Sequence, residues 1–93
     1  MLSISNFEAL LDQEVQLSDE QHEYVATVTE VMKMTRHGDA ERDPFSVLFV
    51  IAQEQPLPQQ IYTLKHASLG QMEIFLVPIG PKGEGMCYEA VFT

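Results

Sequence analysis

The sequence predicts a mainly β domain of the α+β kind, with about six antiparallel strands in a small barrel or sandwich and one short N-terminal helix. Three observations predict this fold. The last third of the chain has three short apolar runs separated by turns that contain glycine, which is typical of an antiparallel meander. Two further apolar runs precede it, one of them nearly all apolar. A helical apolar pattern lies near the N-terminus.

The N-terminal pattern predicts a helix from about Asn6 to Asp12. Ser5 and Glu8 have the spacing of a capping box, in which each side chain binds the other residue's backbone N–H. The apolar face consists of Phe7, Leu10 and Leu11. A helix this short is unstable alone, so we expect it to pack on the sheet.

Six strands are expected along the rest of the chain. They are Val15–Leu17, His22–Met34, Phe45–Ile51, Ile61–Leu64, Met72–Val77 and Met86–Phe92. The second has apolar or β-branched residues at both parities, which predicts a bulge midway or partial cover on both faces, with Glu30 at a bulge or an edge. The third and the last should be central, because an apolar strand at an open edge invites aggregation.

The connections between the strands are polar or contain glycine. Arg36–Pro44 is a charged loop and Gln53–Gln60 is a polar linker with two prolines. Ala67–Gly70 and Gly80–Gly85 are predicted turns. The glycines of the second turn lack the lysine and hydroxyl residue of a phosphate-binding loop. The whole chain, residues 1–93, is therefore predicted to be a single domain without a cofactor site.

Composition excludes several classes of function. Five basic residues against fourteen acidic ones give a net charge of −9, which disfavours binding to nucleic acid or to an anionic membrane surface. The start of the chain has no basic region followed by an apolar stretch, so we expect no signal peptide. A single cysteine, Cys87, fits a reducing compartment. These features predict a cytoplasmic protein.

No residue pattern points to catalysis or to a metal. The histidines His22, His37 and His66 match no zinc-binding spacing. Cys87 lies within an apolar run and is expected to fill the core rather than to act as a nucleophile. We therefore predict no catalytic residue and no metal ligand.

Four polar side chains are candidates for a pocket inside the barrel: Tyr62, His66, Tyr88 and Glu89. A pocket would need to bring at least two of them together. The alternative for His66 is a hydrogen-bonded histidine at a strand end. Glu73 and Glu89 could form a carboxylate pair, or each could face solvent or pair with Lys65.

Acidic residues are candidates for contact with a partner. Asp39, Glu41 and Asp43 lie in the charged loop and are the predicted partner-binding residues. A related hypothesis is a chaperone-like binder of a basic partner, using this loop and the region Asp19–Glu23. A homodimer is also expected if an apolar strand has an open edge.

The C-terminal half has a dense motif, LPQ-x-x-Y-x-L-x-H-x-x-LG-x-x-EIFLVP-x-GP-x-x-x-GM-x-YEAVF, from Leu57 to Phe92. With Phe7, Leu10 and Leu11 near the N-terminus and Pro44-Phe45-Ser46 before the third strand, it resembles a family of small bacterial proteins of unknown function. The resemblance implies an accessory or assembly role, in a phage-tail-like assembly or a specialised gene cluster, and assigns no catalytic residue.

Together these observations predict a non-enzymatic accessory or interaction protein that binds a protein or a peptide, for example by adding a strand to a sheet edge. The alternative is a small-ligand binder or a small enzyme that uses a pocket in the barrel interior.

Overall fold

The computed structural model describes residues 3–34, 44–52, 57–83 and 85–92. The elements are α1 (Ile4–Glu8), β1 (Glu14–Ser18), β2 (Glu23–Lys33), β3 (Phe45–Ile51), β4 (Gln60–His66), β5 (Gly70–Lys82) and β6 (Gly85–Phe92). All strand pairs are antiparallel, and the sheet closes into a barrel in the order β1-β2-β3-β6-β5-β4. The predicted fold is confirmed, and of the two forms it is the barrel.

The helix begins earlier and ends sooner than predicted. Its N-cap is Ser3, whose backbone N–H donates to Asn6 Oδ1 at 2.8 Å, so the capping pair is Ser3 and Asn6 rather than Ser5 and Glu8. The chain leaves α1 through turns that end at Asp12, where φ is +66°. Of the predicted apolar face, Phe7 and Leu10 are buried but Leu11 is exposed. The turns redirect the chain before Leu11 can face the sheet.

Strand β2 has the predicted irregularity, because its register with β3 shifts between Val28 and Glu30. The bulge turns Val31 towards the core and leaves Glu30 on the outer face, opposite Leu48. Of the alternatives that the sequence left open, the structure has the bulge midway along the strand, with Glu30 beside it.

Strand β5 is longer than predicted. It continues past Val77 through Pro78 and Pro81 to Lys82, with a bulge between Pro78 and Gly80. Proline is compatible with a strand where its nitrogen faces away from the neighbouring strand. Each half of β5 has a different partner: the first half pairs with β4 and the second half with β6. The prolines therefore lie where β4 no longer runs alongside.

In the closed barrel every strand has a neighbour on both sides, so β3 and β6 are not edge strands but are no more central than the other four. At one end of the barrel Phe7 from α1 packs on Phe45 and Phe92, with ring centroids 6.0 and 5.0 Å away. Phe45 and Phe92 stack on each other at 4.9 Å. This aromatic cluster closes that end of the barrel and attaches the helix to it.

The stagger of the strands leaves several lengths of strand that are paired on one side only, and two of them are protected. One is the end of β2 beyond β1, where α1 packs and where Lys33 lies. The other is the end of β5 beyond β4, which lacks N–H donors at Pro78 and Pro81. Lysine and proline are common protections for exposed edges. These edges are therefore poor templates for an added strand.

Candidate functional site

Two of the four predicted ligand-binding residues belong to the core. The side chains of Tyr62 and Tyr88 are fully buried. The Tyr88 hydroxyl accepts a hydrogen bond from the backbone N–H of Leu57 at 2.7 Å, and the Tyr62 hydroxyl donates to the Pro58 carbonyl at 2.9 Å. Burial raises the pKa of Tyr62. Both hydroxyls hold the same dipeptide against the barrel, which gives them a structural role.

His66 lies half-buried at the end of β4, opposite Gly70. Its Nδ1 accepts hydrogen bonds from the Ser68 backbone N–H at 3.0 Å and from the Ser68 hydroxyl at 2.9 Å. Because Nδ1 accepts, the neutral ring carries its proton on Nε2. This is the hydrogen-bonded strand-end histidine that the sequence offered as the alternative to a ligand. His66 also borders a shallow groove of about 580 Å³ with Glu14 and Gln71.

Glu89 lies on the outer face of β6, opposite Leu48 and Val77. Its neighbour Tyr88 faces the interior, so the two side chains point to opposite sides of the sheet. Glu73 lies on β5, where it pairs with Thr63. It is four residues from Val77, the residue opposite Glu89, which corresponds to roughly 13 Å along the strand. The two carboxylates are too far apart to act together as a general acid and base.

Of the two grooves described in this section, neither brings two of the four predicted residues together. Within residues 3–34, 44–52, 57–83 and 85–92, no group of three or more histidine, cysteine, aspartate or glutamate side chains could hold a metal ion. The predicted partner-binding residues Asp39, Glu41 and Asp43 lie outside the described residues. The involvement of all seven in binding stays a prediction.

The outer face of the barrel carries a set of exposed apolar side chains. Ile61 on β4 pairs with Phe75 on β5, and they are 57% and 50% exposed. Val91 on β6 is 49% exposed and lies two residues beyond Glu89, where the pairing of β6 with β5 ends. We call Ile61, Phe75 and Val91 the apolar face. Single exposed apolar residues are ordinary, but contiguous ones mark interaction sites.

A polar groove of about 610 Å³ adjoins the apolar face and shares Ile61 with it. We call it the acidic groove, and it is lined by Ser18, Asp19, Glu20, Gln21, Gln60, Ile61, Thr63 and Glu73. The pairing of β1 with β4 forms it, because Ser18 lies opposite Thr63, which in turn lies opposite Glu73. Barrel closure thus brings the β1–β2 turn against the outer face of β4 and β5.

Asp19 organises the turn at one end of the acidic groove. Its Oδ1 accepts hydrogen bonds from the backbone N–H groups of Gln21 at 2.8 Å and His22 at 2.7 Å. These bonds stabilise the carboxylate and hold the pKa of Asp19 below its usual range. Gln60 makes a longer contact of 3.4 Å with Oδ2, across the closure of the barrel. The negative charge of Asp19 is therefore fixed in place at neutral pH.

Few cations offset the charge of the acidic groove. Among the described residues the one salt-bridge contact is that of His22 Nδ1 with Asp19 Oδ1, at 3.7 Å. Lys65, the predicted alternative partner of Glu73, makes no salt bridge with it. Glu20 and Glu73 are exposed and have no described lysine within salt-bridge distance. The described part of the groove therefore presents three carboxylates.

Cys87 is buried on the outer side of β6, opposite Val50 and Gly80. Burial raises the pKa of its thiol, which disfavours the thiolate that a nucleophile needs. Cys87 is therefore buried, as predicted, although it does not belong to the core cluster inside the barrel.

Ile61, Phe75 and Val91 were not among the functional residues predicted from the sequence. A signal was present, because Ile61 and Tyr62 are consecutive, as are Phe75 and Leu76. Neighbours in a strand point to opposite faces, so one apolar residue of each pair must face outwards. The acidic groove had no such signal, since its walls come from distant parts of the chain.

A family model described as a domain of unknown function, DUF6916, matches residues 2–92. No curated protein and no solved structure matches the chain. None of the described helices has the length and apolar character needed to cross a membrane.

Proposed function

We propose that this chain, which belongs to the DUF6916 family, is a non-enzymatic accessory protein that binds another protein or a peptide through the apolar face of its barrel. The observation that carries the proposal is the pair of half-exposed side chains Ile61 and Phe75 on adjacent strands. Aromatic and aliphatic side chains of this kind supply the binding energy at the centre of protein interfaces.

The rigidity of the barrel supports the proposal. Beneath the apolar face, Tyr62, Leu64, Ile74 and Leu76 are buried in the core. Side chains that are held by a packed sheet need little reordering when a partner binds. The loss of conformational entropy on binding is therefore smaller. The predicted role of Asp39, Glu41 and Asp43 in partner binding remains a further expectation.

Side-chain docking is favoured over strand addition at the two protected lengths of edge described above. Strand addition needs a row of free N–H and C=O groups, whereas the length of β5 that runs beyond β4 contains Pro78 and Pro81. The open part of β2 is short and lies beside α1. The apolar face, in contrast, is accessible on the described structure.

The alternative function, a small-ligand binder or a small enzyme, has less support from the geometry. It would need an interior pocket with free polar groups, but the hydroxyls of Tyr62 and Tyr88 are bound to backbone groups. The biological setting, a phage-tail-like assembly or a specialised bacterial gene cluster, rests on the sequence resemblance alone, and it stays a prediction together with the cytoplasmic location and the homodimer.

The proposal is tested by affinity capture from the source organism with three tagged baits. They are the unaltered chain, a variant with Ile61→Thr and Phe75→Thr, and a control with Val25→Thr. Val25 is exposed on the outer face of β2, and threonine keeps the β-branched shape that suits a strand. Captured proteins are quantified by mass spectrometry and then purified for direct binding measurements.

We expect one protein to be captured by the unaltered bait and the control, to be lost with the double variant, and to bind the purified chain directly. Equal capture by all three baits, or failure of every captured protein to bind directly, would overturn the proposal. Thermal unfolding of each bait shows whether it is folded.

A further inference from the structure

We infer that the partner is a basic amphipathic segment of a protein, which places lysine or arginine side chains in the acidic groove and an aliphatic side chain on Ile61 and Phe75. This inference rests on the proposed function and names the chemistry of the partner. The two surfaces form one continuous site, because Ile61 belongs to both and Glu73 and Phe75 lie on the same face of β5.

The dimensions of the site fit a peptide segment. Glu73 and Phe75 are two residues apart on one strand, which separates their Cα atoms by roughly 7 Å. An extended peptide also repeats its side-chain direction every two residues, over the same distance. A basic residue and an aliphatic residue at positions i and i+2 would therefore reach the groove and the apolar face together.

Charge complementarity selects the basic partner. Asp19, Glu20 and Glu73 line the groove, and none of the described lysines makes a salt bridge with them. The whole chain adds to the field, with fourteen acidic residues against five basic ones. Such a field accelerates encounter with cationic partners and repels anionic ones. The aliphatic side of the site distinguishes a protein segment from a simple cation, because it needs an apolar group to cover it.

A second copy of the chain is a poorer occupant of this site. A symmetric dimer places the same patch of both copies in contact, so the carboxylates of both grooves would be brought into one interface. Like charges brought together at an interface oppose association. The charges that favour a basic partner therefore disfavour self-association through the same face.

The test begins with a random dodecapeptide phage library selected against the immobilised full chain. The most enriched peptides are synthesised with a fluorescent label, and their Kd values are measured by anisotropy in 50 and 500 mM NaCl. Three variants are compared with the unaltered chain: Glu20→Gln with Glu73→Gln in the groove, Ile61→Thr with Phe75→Thr on the apolar face, and Glu8→Gln with Glu30→Gln as a control. The control makes the same charge change at exposed positions outside the groove.

We expect enriched peptides with lysine or arginine beside aliphatic residues. Their affinity should fall by roughly three- to tenfold in the groove variant, because each exposed ion pair contributes modestly. It should fall further in the apolar variant and in high salt, which screens the charges, and stay within twofold in the control.

Other results would overturn the inference in distinguishable ways. Peptides without basic residues that bind through Ile61 and Phe75 and tolerate the groove variant would refute the basic partner but leave the proposed function standing. Peptides that bind the apolar variant as well as the unaltered chain would count against both. Failure of the library to yield any binder would refute a peptide-like partner. A dimer in light scattering that is lost in the apolar variant would identify a second copy as the occupant.

Discussion

Replacing Tyr88 by phenylalanine removes the oxygen that accepts the hydrogen bond from Leu57, and the structure predicts a large loss of stability. The Tyr88 side chain is fully buried, Leu57 is 5% exposed, and the bond between them is 2.7 Å long and buried. Phenylalanine keeps the packing of the ring, so the change isolates the hydroxyl. The backbone N–H of Leu57 is left in the core without a partner.

An unpaired buried N–H costs about 1–3 kcal/mol, because its bond to water in the unfolded chain is not replaced. The comparison is Tyr62→Phe, which removes the donor to the Pro58 carbonyl. Pro58 is exposed, so water can hydrate that carbonyl and the cost should be only about 0.5–1.5 kcal/mol. For a domain of this size, each kcal/mol lowers Tm by roughly 4–8 °C.

The assay is urea unfolding followed by circular dichroism, with hydrogen exchange at the Leu57 amide as a local measure. Tyr88→Phe should reduce the free energy of unfolding by about 1 kcal/mol more than Tyr62→Phe and should accelerate exchange at Leu57. Equal losses in the two variants, with exchange at Leu57 unchanged, would refute the structural role assigned to Tyr88. Either hydroxyl would then again be a candidate for ligand binding.

Three more predictions follow from single residues. Gly85→Ala should lower the free energy of unfolding, measured in urea, by about 1–3 kcal/mol, because the new Cβ would lie 2.5 Å from the Ile51 carbonyl oxygen. Gly83→Asn should cost less, because its Cβ would meet no atom within 4 Å and asparagine tolerates the φ of +59° at this position. A loss at Gly83 that exceeds the loss at Gly85 would contradict this packing. Asp19→Asn should be less stable than the unaltered chain at pH 7, because the folded state holds the pKa of Asp19 below its ordinary value of 3.8. This contribution to stability is fully present above about pH 3.8 and is lost as the pH falls through the lower, folded pKa. The urea midpoints of the unaltered chain and Asp19→Asn should therefore differ less at pH 2.5 than at pH 7. An equal difference at both pH values would contradict this prediction. Cys87 should react with a thiol reagent at pH 8 at least a hundredfold more slowly when folded than in urea, since burial raises its pKa and blocks access, and equal rates would place the thiol at the surface.

The strands were predictable because their residues follow local rules. The apolar run Phe45–Ile51 and the bulge near Glu30 are visible in the periodicity of the sequence, and the structure has both. The end of β5 was missed because Pro78 and Pro81 read locally as turn residues. Whether a proline ends a strand depends on which neighbour lies beside its nitrogen, and that is decided by the topology.

The candidate site was less predictable because it depends on closure of the barrel. Asp19 and Gln60 are 41 residues apart in the chain, yet their side chains meet across the junction of β1 and β4. The predicted pocket residues Tyr62 and Tyr88 were chosen for their polar atoms, but local sequence could not show that backbone groups occupy both hydroxyls. The outward direction of Ile61 and Phe75 was the one part that strand parity could have supplied.

The most direct test of the central claim is site-specific photocrosslinking in living cells. Benzoylphenylalanine is placed at Phe75 in one strain and at Val25 in another, because both side chains are about half exposed and lie on different strands of the outer face. If the apolar face binds a partner, light should join the chain to one discrete protein from position 75 and not from position 25. Identical crosslinks from both positions, or none from position 75, would show that this face is not where the chain binds.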